Sequence, residues 1–296
     1  MELRKVVIPV AGSGSKLLPV TKTLPKEMLP VGRKPAVQYV VEEALAAGLR
    51  QILFVTGRHK SAIEDHFHPS REPDQRHHEP GKGHVVEESG YHHTNWRCYF
   101  VRQPAPTGLA DAVATAADFV GQEPFAVSLG DSIITSDRPG ELLQRMERCR
   151  QETGAACVLA LEQVQAEELH HYGVVRVRDE HKNWVEIEDL VEKPDAQKAP
   201  SHLSIAARYL FTSEIFDCID STIHGPRTGT RELTDSIRLL VQRGRRVCGV
   251  HMLPSETRYD IGDFASYFRA FCELAIGDEK YGYTFRQYLT RRREGL

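Results

Sequence analysis

Val6-Val7-Ile8-Pro9-Val10-Ala11 runs directly into Gly12-Ser13-Gly14-Ser15-Lys16. An uncharged apolar run of this length suits a strand buried on both faces, as in a parallel sheet. The glycines after it allow backbone N–H groups to approach an anion that a Cβ would obstruct. The stretch therefore predicts a buried parallel strand opening into a phosphate-sized turn. Its spacing fails the Walker pattern, since no G-x-x-x-x-G-K-[ST] is present, and it lacks the third glycine of a dinucleotide fingerprint. By itself it reads equally well as a tight turn.

Outward from that strand, helical and extended patterns alternate. Pro35 stands at a first helical position, and Val37, Val40, Val41, Ala44 and Leu45 recur at helical spacing until Gly48 ends the run. A strand over 52–56, a short helix over 61–67, a strand over 99–103, a helix over 109–120 and a strand over 125–129 come next. Strands return over 157–161, 173–177, 184–191 and 204–211, then helices over 213–221 and 232–243, a strand over 247–253 and a closing helical stretch from Asp263. The pattern predicts an α/β fold: a doubly wound, mostly parallel but mixed Rossmann-like sheet with helices on both faces and a C-terminal extension of strands and helices. No linker-like composition divides the chain, so residues 1–296 are expected to form one domain.

At 41% apolar residues the chain can bury a large core, and a net charge of −3 gives no electrostatic case for nucleic acid as a partner. No window approaches the roughly 18 uninterrupted apolar residues of a membrane span, and Met1-Glu2-Leu3-Arg4-Lys5 leads straight into a strand. A cytoplasmic protein without a membrane partner is expected. The six cysteines form no C-x-x-C pair, which argues against a disulfide framework or zinc knuckle. Between Phe67 and Trp96 the sequence turns polar and holds His68, His77, His78, His84, His92 and His93, with His66 at its edge. Without H-E-x-x-H this is expected to be a solvated loop or lid rather than a metal site.

The glycine turn gains meaning from its continuation, Leu17-Leu18-Pro19 and then Pro25-Lys26-Glu27-Met28-Leu29-Pro30, which fixes a second lysine on a stiff loop. Together with Gln38-Tyr39-Val40-Val41 these blocks resemble the bacterial UTP:glucose-1-phosphate uridylyltransferases. The resemblance continues in order through Arg102-Gln103 with Gly108-Leu109, Leu129-Gly130-Asp131, Tyr172-Gly173-Val174-Val175, Val191-Glu192-Lys193-Pro194, Ala199-Pro200-Ser201, Leu233-Thr234-Asp235 and Tyr259-Asp260-Ile261-Gly262. It covers nearly the whole chain.

The resemblance implies a nucleotide-binding part over about 1–135 and a sugar-phosphate and C-terminal part over about 136–296. The implied substrates are UTP and glucose 1-phosphate, the implied cofactor is Mg2+, and the implied assembly is a homo-oligomer. Lys16, Lys26, Asp131 and Lys193 are the implied catalytic residues. Ala11, Gly12, Gly14, Lys26, Gln103, Gly108 and Asp131 would contact the nucleotide, and Gly173, Glu192 and Lys193 the sugar phosphate. Asp131 and Asp260 would hold the cation, a hard ion bound by few carboxylates and by substrate phosphates. The implied reaction is an in-line displacement between aligned reactants, in which an ionised phosphate nucleophile would need no strong general base.

The chain departs from the family pattern at several positions. Ser15-Lys16 replaces Thr-Arg, and lysine does not reproduce arginine's planar grip on phosphate. Asp131-Ser132 replaces a pair of aspartates, Ala110-Asp111 stands where the family has Gly-His, and Thr228-Gly229-Thr230-Arg231-Glu232 replaces Gly-Gly-Glu-Ile-Gln. The usual lysine after Tyr-Asp-Ile-Gly is replaced around Asp263-Phe264. A carboxylate at Asp111 beside a nucleotide is expected to repel phosphate unless a metal or lysine offsets it. Gln103-Pro104-Ala105-Pro106-Thr107-Gly108-Leu109-Ala110 resembles the base loop of glucose-1-phosphate thymidylyltransferases, so dTTP use or relaxed specificity stays open. A catalytically degenerate regulatory paralogue is the third reading.

Overall fold

The apolar run that starts at Val6, with Lys5 before it, forms β1 (Lys5–Pro9), an interior strand of the main sheet. The computed structural model describes residues 1–68, 95–225 and 229–294. The histidine-bearing loop expected between Phe67 and Trp96 lies, apart from its ends, outside the described residues.

After β1 come the small hairpin β2 (Pro30–Val31) and β3 (Lys34–Pro35), α1 (Ala36–Ala46), β4 (Gln51–Thr56), α2 (Ser61–Phe67) and β5 (Arg97–Arg102). Then α3 (Leu109–Ala114), α4 (Ala117–Val120), β6 (Phe125–Ser128), β7 (Ser132–Thr135), α5 (Glu141–Thr153) and β8 (Cys157–Gln163) succeed one another. The chain continues through β9 (Gly173–Glu180), β10 (Val185–Glu192), β11 (Leu203–Phe211), α6 (Glu214–Ser221), α7 (Leu233–Gln242), β12 (Val247–His251), β13 (Thr257–Asp260), α8 (Phe264–Ile276) and α9 (Gly282–Glu294).

Nine strands share one sheet in the order β5-β4-β1-β6-β11-β8-β12-β10-β9. The first four are parallel, β8 and β12 are parallel, and the remaining pairings are antiparallel. Only β10 and β11 therefore run against the common direction, which makes the sheet mixed but mostly parallel. Strand alternation sends Val7, Leu53, Val55, Phe125 and Val127 into one core and Val6, Ile8, Ile52, Phe54 and Ala126 into the other. Residues from α3, α6 and α7 cover the first face, and residues from α1, α2 and α5 the second. The sheet is doubly wound because both faces carry apolar rows, each fully buried Val, Leu or Phe contributing about 1.5–3 kcal/mol.

The expected helix over 109–120 is two helices. Thr115 donates its hydroxyl back to Asp111 and Ala112, and the Ala116 N–H reaches Val113 three residues back, so the ladder breaks between Ala114 and Ala117. Pro35 caps α1 from the extended conformation rather than opening its first turn. A smaller cluster of Leu17, Leu29, Val31, Ala36, Ile133, Ile261 and Ala270 ties the glycine loop and the Lys26 loop to β7, β13 and α8. One inter-layer ion pair reinforces this region: Arg208 on β11, fully buried, donates to both oxygens of Glu43 on α1 and to the Ser132 carbonyl at 2.9 Å.

Candidate active site

The parallel half of the sheet ends in a cleft where the strand order turns from β1 to β4 on one side and to β6 on the other, the usual ligand position in such sheets. A cavity of about 540 Å³ is lined by Ala11, Gly12, Ser13, residues 21–25, Gly57, Lys60 and Gln103. A second, of about 290 Å³, is lined by Gly12, Lys26, Gln103, Gly108, Leu109 and Asp131. A third, of about 270 Å³, holds Asp131, Gly173, Glu192, Lys193, Thr234, Arg258 and Asp260. The second and third meet at Leu109, Leu129 and Asp131, so one carboxylate faces both compartments.

Lys26 and Asp131 pair directly across the cleft, each side chain 19% exposed. Burial works against the Lys26 charge, but Asp131, Glu27 and Asp260 outweigh it and hold the ammonium above the usual lysine range. Burial likewise opposes Asp131, and Lys26 wins, holding its carboxyl below the usual range. Next door, buried Glu27 accepts from Lys60 at 2.7 Å. Its carboxyl is raised by burial, which the two lysines only partly offset. Two lysines are thus fixed at the floor of the cleft by two carboxylates, and the segment that carries Lys26 and Glu27 is pinned to the residue that precedes α2.

Asp260 reaches the same place from the far end of the sequence. β7 and β13 form a two-stranded antiparallel ribbon in which Asp260 faces Ser132, and the Ile261 N–H donates to the Asp131 carbonyl at 2.8 Å. Burial first and the Asp131 charge second push the Asp260 carboxyl up to about 6. That carboxyl feels Arg258 and the lysine it shares with Asp131, yet burial and the Asp131 charge outweigh both, and it has no hydrogen bond of its own among the described residues, an arrangement that a hard cation relieves. No cluster of three or more metal-type side chains occurs among the described residues. A cation here therefore fits two carboxylates supplemented by ligand oxygens.

At the nucleotide end, Gln103 is buried; its N–H donates to the Thr56 carbonyl at 2.8 Å and its amide nitrogen to the Gly108 carbonyl at 3.3 Å. Gly108 has a φ of +124°, and a Cβ there would lie 2.3 Å from the Arg231 carbonyl oxygen, so only glycine fits the turn. Ala11 and Gly12 line the cleft, while Gly14 accepts from the Thr21 hydroxyl at 2.7 Å.

In the third compartment, Thr234 at the start of α7 donates to Glu192 at 2.6 Å, and Lys193 meets the other Glu192 oxygen at 3.0 Å. Lys193 occupies the left-handed region at φ +45° and is held there by its N–H bond to Tyr172. Burial opposes its charge, but Glu192 raises it above the usual range. A Cβ at Gly173 would lie 2.8 Å from the Thr234 hydroxyl and 3.3 Å from Glu192, so glycine keeps this corner open. Arg258, its side chain 6% exposed, donates to Glu162 at 2.6 Å and stacks over Tyr172 at 4.4 Å.

The structure thus brings together Ala11, Gly12, Lys26, Gln103, Gly108, Asp131, Gly173, Glu192, Lys193 and Asp260. Gly14 and Lys16 are not among them: neither lines these cavities, and Lys16 is exposed and makes no hydrogen bond or ion pair among the described residues. The Lys16 charge is felt at His171 and Asp263. Asp111 corrects the expectation of phosphate repulsion, because it pairs with Arg231 at 3.1 Å and His224 at 3.1 Å and is offset within the protein. Thr234 and Arg258 were assigned no role by sequence reasoning; Thr234 lay inside a matched block, and nothing local marked Arg258.

The nucleotidyl transferase family model matches residues 5–276. UTP--glucose-1-phosphate uridylyltransferase 1 of Staphylococcus saprophyticus is 38% identical over 279 residues, covering 94% of this chain and 95% of that protein. The structure of a UTP-bound UGPase from Acinetobacter baumannii is 32% identical with a TM-score of 0.88, covering 98% of this chain and 99% of its own. A UDP-glucose pyrophosphorylase complexed with UDP-glucose is 34% identical with a TM-score of 0.83, covering 94% of this chain and 100% of its own.

Proposed function

Because the chain belongs to the nucleotidyl transferase family, we infer that it transfers the uridylyl group of UTP to glucose 1-phosphate, releasing pyrophosphate and forming UDP-glucose. The observation that carries this reading is the junction of the nucleotide and sugar compartments at Asp131, which both of them share. A site that aligns two bound reactants converts their encounter into an effectively intramolecular step.

In this reading the triphosphate lies along the Gly12 loop with Lys26 beside it, and Gln103 and Gly108 face the base. Glu192 accepts from sugar hydroxyls, Lys193 neutralises the sugar phosphate, and Gly173 gives the hexose close access. A phosphate oxygen of glucose 1-phosphate attacks the α-phosphorus of UTP as the bond to the pyrophosphate oxygen breaks. The attacking oxygen is ionised at neutral pH, so the side chains orient and neutralise rather than remove a proton. Asp131 and Asp260 would hold Mg2+, which would supply charge neutralisation at the phosphates. Lys16, exposed and outside the three cavities, is assigned the phosphate tail by the resemblance alone.

The same reading takes residues 1–296 as one domain in the cytoplasm, with residues to about 135 serving the nucleotide and the rest the sugar phosphate. Among the described residues no helix is long and apolar enough to cross a membrane. Phe268, Tyr283, Tyr288 and Leu289 are exposed on α8 and α9, and a second copy of the chain is the partner we assign to these helices. The test is pyrophosphate release by purified protein with Mg2+, each nucleoside triphosphate and a panel of sugar 1-phosphates. UTP with glucose 1-phosphate is expected to be the best pair. A strong preference for dTTP replaces the base assignment, and no release with any pair leaves only the regulatory reading.

A further inference from the structure

Arg231 grips the turn that bears Gly108 by backbone and side chain together. Its N–H donates to the Thr107 carbonyl at 2.8 Å and its carbonyl accepts from the Ala110 N–H at 3.1 Å, so one residue spans both ends of the turn. Its guanidinium meets Asp111 at 3.1 Å, and His224 meets the second Asp111 oxygen at 3.1 Å. The side chains of Asp111 and Arg231 are only 17% and 19% exposed, so this pair is screened far less than a surface pair. The buried Arg231 Nε has no acceptor, which leaves Asp111 as the guanidinium's side-chain anchor among the described residues.

Each end of this contact leads into a different compartment. Gly108 lines the nucleotide side and accepts from the Gln103 amide. Glu232, Leu233 and Thr234, the residues immediately after Arg231, line the sugar side, where Thr234 holds Glu192. We propose that the Asp111–Arg231 ion pair is a latch that couples the two subsites, so that filling one orders the segment that completes the other. The proposal rests on the uridylyl-transfer reading. Asp111 and Arg231 are positioning residues in it, since neither lines the cavities in which the reactants meet. Without the charge pair the two backbone bonds persist, but the side-chain hold between Asp111 on α3 and the segment that enters α7 is lost. Coupling by shared ordering then weakens.

The experiment measures the apparent KM for UTP at low and at saturating glucose 1-phosphate in the wild type, Asp111→Asn, Arg231→Lys, Arg231→Gln and the double Asp111→Asn/Arg231→Gln, with the thermal midpoint of each. Saturating sugar phosphate is expected to lower the UTP KM of the wild type. In Asp111→Asn that effect is expected to shrink by about threefold or more, as for contacting residues in one network, with kcat within about twofold. The double variant should be no worse than the worse single, and Arg231→Lys should retain part of the coupling. Unchanged coupling in Asp111→Asn, or single effects that simply multiply in the double, overturns the latch. If Asp111→Asn does not fold, Arg231→Gln against Arg231→Lys makes the same comparison. A wild type that turns over this pair with no coupling overturns the latch alone, whereas a wild type inactive on it overturns the activity reading and the latch together.

Discussion

Removing Glu43 tests how far the fold depends on one ion pair between layers. Arg208 is fully buried and directs donors to both Glu43 oxygens, to Ser132 and to Ala207. Glu43→Ala leaves that guanidinium without a counter-ion. Breaking a buried pair from one side costs about 3–5 kcal/mol, since the remaining charge keeps its desolvation penalty. With an unfolding entropy of about 2.1 cal/mol/K per residue, a chain of this size loses about 5–8 °C of Tm. Replacing both partners by apolar residues of similar volume, Glu43→Leu with Arg208→Met, should recover most of that stability. It should not recover activity, because the hold on the Ser132 carbonyl beside Asp131 is gone. Thermal unfolding followed by circular dichroism and pyrophosphate release measure the two effects separately. A Glu43→Ala protein melting within about 1 °C of wild type would refute the reasoning, as would a double variant with wild-type turnover.

Gly173→Ala places a methyl against Thr234 and Glu192 and is expected to raise the KM for glucose 1-phosphate about tenfold, as for loss of one contact worth about 1.4 kcal/mol, while steady-state assays show little change for UTP. Gly108→Ala meets the Arg231 backbone in a left-handed turn and should destabilise by more than about 1 kcal/mol in urea denaturation. Asp260→Asn removes a charged oxygen contact worth about 1.5–3 kcal/mol; a Mg2+ titration of turnover should move to ten- to hundredfold higher concentration. Lys16→Arg is expected to match or exceed wild-type turnover, because arginine restores a planar grip on phosphate, and a large loss would show a site tuned around lysine.

The parallel half of the sheet was legible because β1, β4 and β6 are mainly apolar and β5 has an apolar centre, Cys98 to Val101, each succeeded by the glycine- or proline-bearing loop that ends it. Helix α5 went unread although Leu142, Leu143, Met146 and Cys149 repeat at helical spacing, because charged residues fill the positions between them. The β7–β13 ribbon had no local signal at all. Its strands are four residues each and lie more than a hundred residues apart, so only the folded chain brings Asp131 beside Asp260. The same holds for Asp111: the sequence places it near a nucleotide loop, and only tertiary structure reveals Arg231 and His224 facing it. Lys26, Gln103, Glu192 and Lys193 were found through the order of whole blocks, since an isolated lysine or glutamine carries no such information.

The most direct measurement incubates the purified protein with UTP, glucose 1-phosphate and Mg2+ and quantifies UDP-glucose by mass spectrometry alongside pyrophosphate, for the wild type and for Asp131→Asn. The account predicts equal amounts of the two products from the wild type. It also predicts a turnover at least about a hundredfold lower in the variant, the scale of losing one charge-stabilising group at a reacting centre. Near-normal turnover by Asp131→Asn, or pyrophosphate released without UDP-glucose, would contradict it.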